Sequence, residues 1–259
     1  MPVIYNNDLI SDNCLFIAIG NSRIHLAWFK EGTLRSVWNT KHLTKKVNRN
    51  CIPRKLLNDR TIEQKSTELP VVIASVVPSQ TKLWHDYSRL QTIALKDIKL
   101  TNTYPSMGID RALSLWGGGE NYGYPCLVID GGTALTFTGA NKQKELIGGA
   151  ILPGLRTQFL SLNQKTAALP EVKLPASLPP RWAIETKGAI GSGIIHTVIA
   201  GIYSYILDWQ QQYPDSQVIF TGGDAEILTR YLQQQYPDSK SKIKSDRNLI
   251  FYGMKLAIR

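Results

Sequence analysis

Cys126-Leu127-Val128-Ile129-Asp130-Gly131-Gly132-Thr133-Ala134-Leu135-Thr136-Phe137 decides the fold of this chain. An apolar run enters a turn of Asp, two Gly and Thr, and a second apolar run leaves it, the pattern of two strands joined by a tight connection. Gly in such a turn lets backbone N–H groups approach phosphate oxygens without interference from a Cβ. The Thr133 hydroxyl adds a donor. A carboxylate beside phosphates needs a cation between them, so Asp130 points to a metal or monovalent ion. A turn-forming Asp and a turn hydroxyl are the plainer roles for these two residues.

The same outline occurs earlier. Leu15 to Ile19 is apolar, Gly20-Asn21-Ser22 turns the chain, and Ile24 to Phe29 is apolar again. Setting Gly20 against Gly132 places Ala18 opposite Asp130 and Asn21 opposite Thr133. Further along, Val71 to Val77 reads as a buried strand ended by Pro78, and Ser79 opens a helix expected to reach Leu90. In the second half, Glu145–Ile151 reads as a strand and Leu155–Leu162 as a helix. Residues 165–181 form a loop. Gly188–Gln212 is the longest helix, with Ile194, Ile195, Val198, Ile199, Ile202, Ile206 and Trp209 at helical spacing. Gln217–Thr221 is a strand closed by Gly222-Gly223, and Ala225–Gln235 a helix.

Length and charge set the outer bounds. The 259 residues suit one large domain or two of about 100–150 residues. The net charge of +10 favours anionic ligands. The densest basic stretch, Lys41 to Arg60, carries no interleaved aromatics and no nucleic-acid reader motif, so it reads as a solvated face and nucleic acid is not the expected partner. Cys14, Cys51 and Cys126 show no metal-binding or paired spacing and read as reduced thiols, Cys14 and Cys126 on the core side. No signal peptide is visible and no apolar run reaches the roughly 18 residues of a membrane span, which makes the cytoplasm the expected location and excludes a membrane.

Four segments could carry chemistry: Gly20-Asn21-Ser22, Gly108-Ile109-Asp110-Arg111, Asp130-Gly131-Gly132-Thr133 and Thr221-Gly222-Gly223-Asp224. With Gly148-Gly149-Ala150-Ile151-Leu152-Pro153-Gly154 and Thr186-Lys187-Gly188-Ala189-Ile190-Gly191-Ser192-Gly193, they form a series that resembles the type III pantothenate kinases of the ASKHA superfamily, the actin, sugar kinase and heat-shock ATPase architecture. The resemblance spans residues 18 to 223. It implies an α/β fold of two ribonuclease H-like domains with an ATP cleft between them. The expected division is a loose leader over 1–14, an N-terminal domain over 15–118 and a C-terminal domain over 119–259, with Gly117-Gly118-Gly119 and Tyr122-Gly123-Tyr124-Pro125 at the junction.

The implied activity is ATP-dependent phosphorylation of pantothenate to 4'-phosphopantothenate, the first step of coenzyme A synthesis. Asp110 matches the general base, a role a carboxylate can fill for a primary alcohol attacking phosphorus; a helix N-cap is its plainer role. Gly108, Ile109 and Arg111 match the pantothenate site. Tyr104 matches a substrate-binding Tyr, with core packing as the alternative, and Thr186 matches a substrate-contacting Thr, with a helix N-cap as the alternative. Ile19, Gly20, Asn21, Ser22, Arg23, Thr133, Gly222 and Gly223 match the nucleotide site, and Asp130 the ligand of a monovalent cation (K+ or NH4+). Mg2+ and a homodimer are also implied. One position departs from the pattern, because Ala18 stands where the family has Asp. Two other readings remain at this point: a different small-molecule kinase of the same architecture, or a nucleotide-binding regulator with little turnover.

Overall fold

The computed structural model describes residues 13–57 and 69–258, with the side chains of 240–242 excepted. Most of the expected leader lies outside the described residues, and so does Arg60 of the basic stretch. The described chain divides into two compact units. One contains residues up to 99 together with 104–113 and 250 onward, and the other contains 100–103 and 114–249.

The first unit is built on β1 (Asn13–Ile19), β2 (Ile24–Lys30), β3 (Thr33–Thr40), β4 (Val71–Ser75) and β5 (Leu90–Thr92), in the order β3-β2-β1-β4-β5. β1 runs antiparallel to β2 and parallel to β4. As the central strand it is buried from Cys14 to Ile19, which is why it reads as a continuous apolar run rather than an alternating one. Leu15, Ile17 and Ile19 join Ile24, Leu26, Trp28, Val71 and Ile73 in one core cluster. The basic segment after β3 is tied to that core by Leu43, Val47, Ile52 and Leu56, while Lys41, Lys45, Lys46, Arg49, Arg54 and Lys55 are exposed.

The helix expected from Ser79 to Leu90 is not formed. Only α1 (Pro78–Thr81) and a short 3-10 turn over Lys82–Trp84 occur, and Leu90 already pairs with Val71 in β5. Pro78 occupies the first helical turn, where its missing N–H costs nothing. Trp84 and Tyr87 are then drawn into the sheet core, and that burial overrides the local helical pattern.

The second unit repeats the plan. β6 (Cys126–Gly131), β7 (Ala134–Ala140), β8 (Leu146–Pro153), β9 (Gln217–Thr221) and β10 (Ile243–Ser245) are ordered β10-β9-β6-β7-β8. Here β6 runs antiparallel to β7 and parallel to β9. Read from the third strand of each set, both sheets have the same order and the same strand directions. The sequence offered one short local match for this duplication, whereas strand order and direction agree along each whole sheet.

The second unit's core is closed by α3 (Leu155–Lys165), α4 (Thr186–Gln212) and α5 (Ala225–Gln235). α4 is long and apolar enough to cross a membrane by length and composition. Its apolar side chains, from Ile190 to Trp209, pack instead against Leu127, Ile129, Phe137 and Phe220 of the sheet. Two further helices, α2 (Ile109–Tyr122) and α6 (Leu249–Ala257), contribute residues to both units. Gly117-Gly118-Gly119, expected at a flexible junction, lies buried inside α2, where a Cβ on Gly118 would press on Val128, Ile219 and Leu249. Small residues there let the helix lie close to the sheet.

Candidate active site

Equivalent turns end the two central strands. In the first unit, Gly20 N–H donates to Arg23 O at 3.0 Å, closing the turn Gly20-Asn21-Ser22-Arg23 between β1 and β2. Asn21, Ser22 and Arg23 are exposed. The Ile19 side chain belongs to the core, and its carbonyl accepts the Val76 N–H, so only main chain of this residue can border a ligand. His42 also holds the turn, its Nε2 lying 2.8 Å from Gly20 O. Because a carbonyl can only accept, Nε2 carries the proton. Sequence reasoning passed over His42, which is 22 positions away from Gly20 and carries no motif.

Ala18 and Asp130 occupy matching positions, each next to last on its central strand. Ala18 is paired with His25 on β2 and Ala74 on β4, and Asp130 with Thr136 on β7 and Thr221 on β9. The alignment drawn from sequence is therefore correct in three dimensions. Ala18 is buried, and opposite it burial holds the His25 imidazole below its ordinary pKa, against a raising hydrogen bond from Asn39.

The start of α2 gathers five predicted residues in the first unit, Tyr104, Gly108, Ile109, Asp110 and Arg111. Asp110 stands in the first helical turn, where the helix dipole favours a carboxylate. Its Oδ1 accepts the Arg111 N–H at 2.8 Å. Gly108 is the residue before the helix, and its carbonyl accepts the Ala112 N–H as the first bond of the helical ladder, so Asp110 is not the N-cap. Arg111 is 8% exposed, and its Nη1 donates to the Tyr104 hydroxyl at 3.0 Å. Tyr104 is itself 41% exposed, so it is not a core-packing residue. Asp110, Arg111 and Tyr104 are thus linked, Asp110 to the Arg111 main chain and Tyr104 to its guanidinium.

In the second unit β6 continues through Asp130 and Gly131, so the turn proper is Gly132-Thr133, shorter than the four residues read from sequence. Two segments converge on it, residues 154–157 and 222–224. Thr133 O accepts both the Gly154 N–H at 2.9 Å and the Thr157 hydroxyl at 2.6 Å, which docks the start of α3. A Cβ on Gly154 would collide with Gly132 O, which explains the Pro153-Gly154 ending of that motif. Gly222 lies against Asp130 Oδ1 and Gly131 O with φ +86, a combination open only to Gly. Asp224 N–H donates to Gly131 O at 2.9 Å. Asp130, Thr133, Gly222 and Gly223 are therefore built into one corner of the unit.

Thr186 stands apart from that corner. It is the first residue of α4, and the N-cap is Glu185, whose carboxylate accepts from the N–H groups of Lys187 and Gly188. Among the described residues no group of three or more His, Cys, Asp or Glu is arranged to hold a metal. Burial pushes the Cys126 thiol up to about 12, and Cys14 to about 12 as well despite Arg89, so neither is a nucleophile.

A sequence profile of the type III pantothenate kinases matches residues 14–208. This chain belongs to the type III pantothenate kinase family. The matched span includes the Gly20 turn, the start of α2, the Gly132 turn and Thr186, while Gly222-Gly223 falls beyond it. A type III pantothenate kinase of Nostoc sp. is 45% identical over 96% of this chain and 95% of its own length. Another from Synechocystis sp. is 41% identical over 93% of this chain and 88% of its own. Among solved structures, the activator of the 2-hydroxyisocaproyl-CoA dehydratase from Clostridium difficile, with bound ADPNP, superposes with a TM-score of 0.53. It covers 95% of this chain and 93% of its own at 11% identity, a likeness of fold alone. The fold is two ribonuclease H-like α/β units, as the sheet orders also indicate.

Proposed function

We propose that this type III pantothenate kinase transfers the γ-phosphoryl group of ATP to the primary hydroxyl of pantothenate, giving 4'-phosphopantothenate and ADP. The observation that carries the reading is the start of α2, where the Asp110 carboxylate is held by the Arg111 main-chain N–H and the Arg111 guanidinium by the Tyr104 hydroxyl. Asp110 accepts the hydroxyl proton through Oδ2, which has no hydrogen bond among the described residues. The freed oxygen attacks the γ-phosphorus as the bond to the β,γ-bridging oxygen breaks and ADP leaves. Arg111 with Tyr104 binds and orients the acidic substrate, since a guanidinium suits a carboxylate.

The nucleotide is held by the main-chain N–H groups and hydroxyls of the Gly20 and Gly132 turns, with Gly222-Gly223 bordering the adenosine. Asp130 would hold a monovalent cation, K+ or NH4+, and that cation, with the Mg2+ that accompanies ATP, would offset the phosphate charge. Thr186 touches pantothenate from a second copy of the chain in a homodimer. Exposed Trp182 and Ile184, just before α4, and Tyr205 and Leu207 on it, supply apolar surface for that copy. The enzyme works in the cytoplasm. The test is ADP release from ATP and Mg2+ with pantothenate against other primary alcohols. Release specific to pantothenate supports the reading, and equal release with a sugar acceptor contradicts it.

A further inference from the structure

Arg156, the second residue of α3, has no role in the scheme above, yet it stands two residues after the Gly154 that backs onto the Gly132 turn. Its Nε donates to Asp224 Oδ1 at 3.2 Å. The two partners differ in environment: the Asp224 side chain is 5% exposed and that of Arg156 70%. Asp224 is also fixed through its main chain, its N–H on Gly131 O and its carbonyl accepting the Leu228 N–H at 3.0 Å.

A carboxylate that deep is costly unless paired. An exposed arginine, by contrast, gains little from a surface ion pair. The arrangement therefore works in one direction, with the buried carboxylate fixing the guanidinium. Only Nε is engaged, and neither Nη1 nor Nη2 makes a hydrogen bond among the described residues. The outer edge of the fork is left available beside the Gly132-Thr133 turn, and that edge matches two phosphate oxygens.

We propose that Arg156 is a phosphate-binding residue for the nucleotide, held in place by the buried Asp224 carboxylate. The proposal rests on ATP being the phosphoryl donor. It gives the Asp that follows Gly222-Gly223 a positioning role, and it places a side-chain cation beside the Gly132-Thr133 turn, whose own donors are neutral.

The experiment compares the full-length wild type with Arg156→Gln, Arg156→Lys and Asp224→Asn, measuring KM for ATP and for pantothenate, and binding of ADP and adenosine. A charge-assisted hydrogen bond is worth about tenfold to a hundredfold in affinity. Arg156→Gln is expected to raise the KM for ATP and the Kd for ADP by that factor, leaving adenosine binding and the pantothenate KM unchanged. Arg156→Lys recovers part of the loss, because the charge stays while the fork is gone. Asp224→Asn shows a smaller rise in the ATP KM with Arg156 still present; should it fail to fold, the exposed Arg156 variants decide alone. An active Arg156→Gln enzyme with the wild-type ATP KM overturns the proposal and leaves the kinase assignment intact. Equal weakening of ADP and adenosine overturns it too, by placing Arg156 against the base. A wild type that neither binds ATP nor releases ADP removes both.

Discussion

Two adjacent glycines should respond in opposite ways to the same substitution. A Cβ on Gly222 would meet Asp130 Oδ1 and Gly131 O, and the residue has φ +86, whereas a Cβ on Gly223 meets nothing within 4 Å. For Gly222→Ala, holding an L-residue in the left-handed region costs roughly 1–2 kcal/mol. Crowding against a carbonyl that cannot retreat adds about 1–3 kcal/mol. The sum, about 2–5 kcal/mol, lowers Tm by roughly 5–15 °C in a chain of this size. Gly223→Ala carries neither cost and should stay within about 0.5 kcal/mol of the wild type. Thermal melts of the three proteins at one concentration make the comparison. Gly222→Ala should also lose turnover, because Asp130 must move to make room for the methyl. Equal melting temperatures for the two variants would refute the geometry assigned to this corner.

Three other perturbations follow from the first unit. His42→Ala removes the donor to Gly20 O at 2.8 Å, a loss of about 0.5–1.5 kcal/mol; steady-state kinetics should show a higher KM for ATP, with pantothenate little affected. His25 has its pKa lowered by burial, so the unfolded chain binds more protons in acid, and stability falls as the pH drops below about 6.5. Melts between pH 5 and 7 should be flatter for His25→Gln, and an unchanged slope would exclude His25 as the source. Ala18→Asp places a carboxylate at the position matching Asp130, facing His25, and should change the dependence of turnover on Mg2+ or K+; an identical metal profile would contradict it.

The elements legible in the sequence are those whose signal is local. β1, β2, β6, β7 and β9 are apolar runs that begin or end at a Gly turn, and α4 shows helical spacing from Ile194 to Trp209, about four turns, because that stretch packs against the sheet. β5 and β10 have three residues each, and their pairing with β4 and β9 is a tertiary event that no short window records. β3 was missed because its polar Ser36 faces inward and Val37 outward, which blurs the alternation. The glycines of α2 misled in the same way, since Gly there serves packing rather than a bend. Within the site, the four Gly-containing segments were visible as motifs. His42 and the Arg156–Asp224 pair were not, because each acts across 22 and 68 positions of sequence and repeats no pattern.

The central claim is that Asp110 is the base that starts phosphoryl transfer to pantothenate. The most direct measurement is pantothenate-dependent ADP release by the wild type and by Asp110→Asn, with pantothenate and ATP binding measured on both. A general base contributes about a hundredfold to ten-thousandfold, so the variant should lose that much in kcat while still binding both substrates. Turnover at the wild-type rate in Asp110→Asn, or wild-type ADP release that does not depend on pantothenate, would contradict the account.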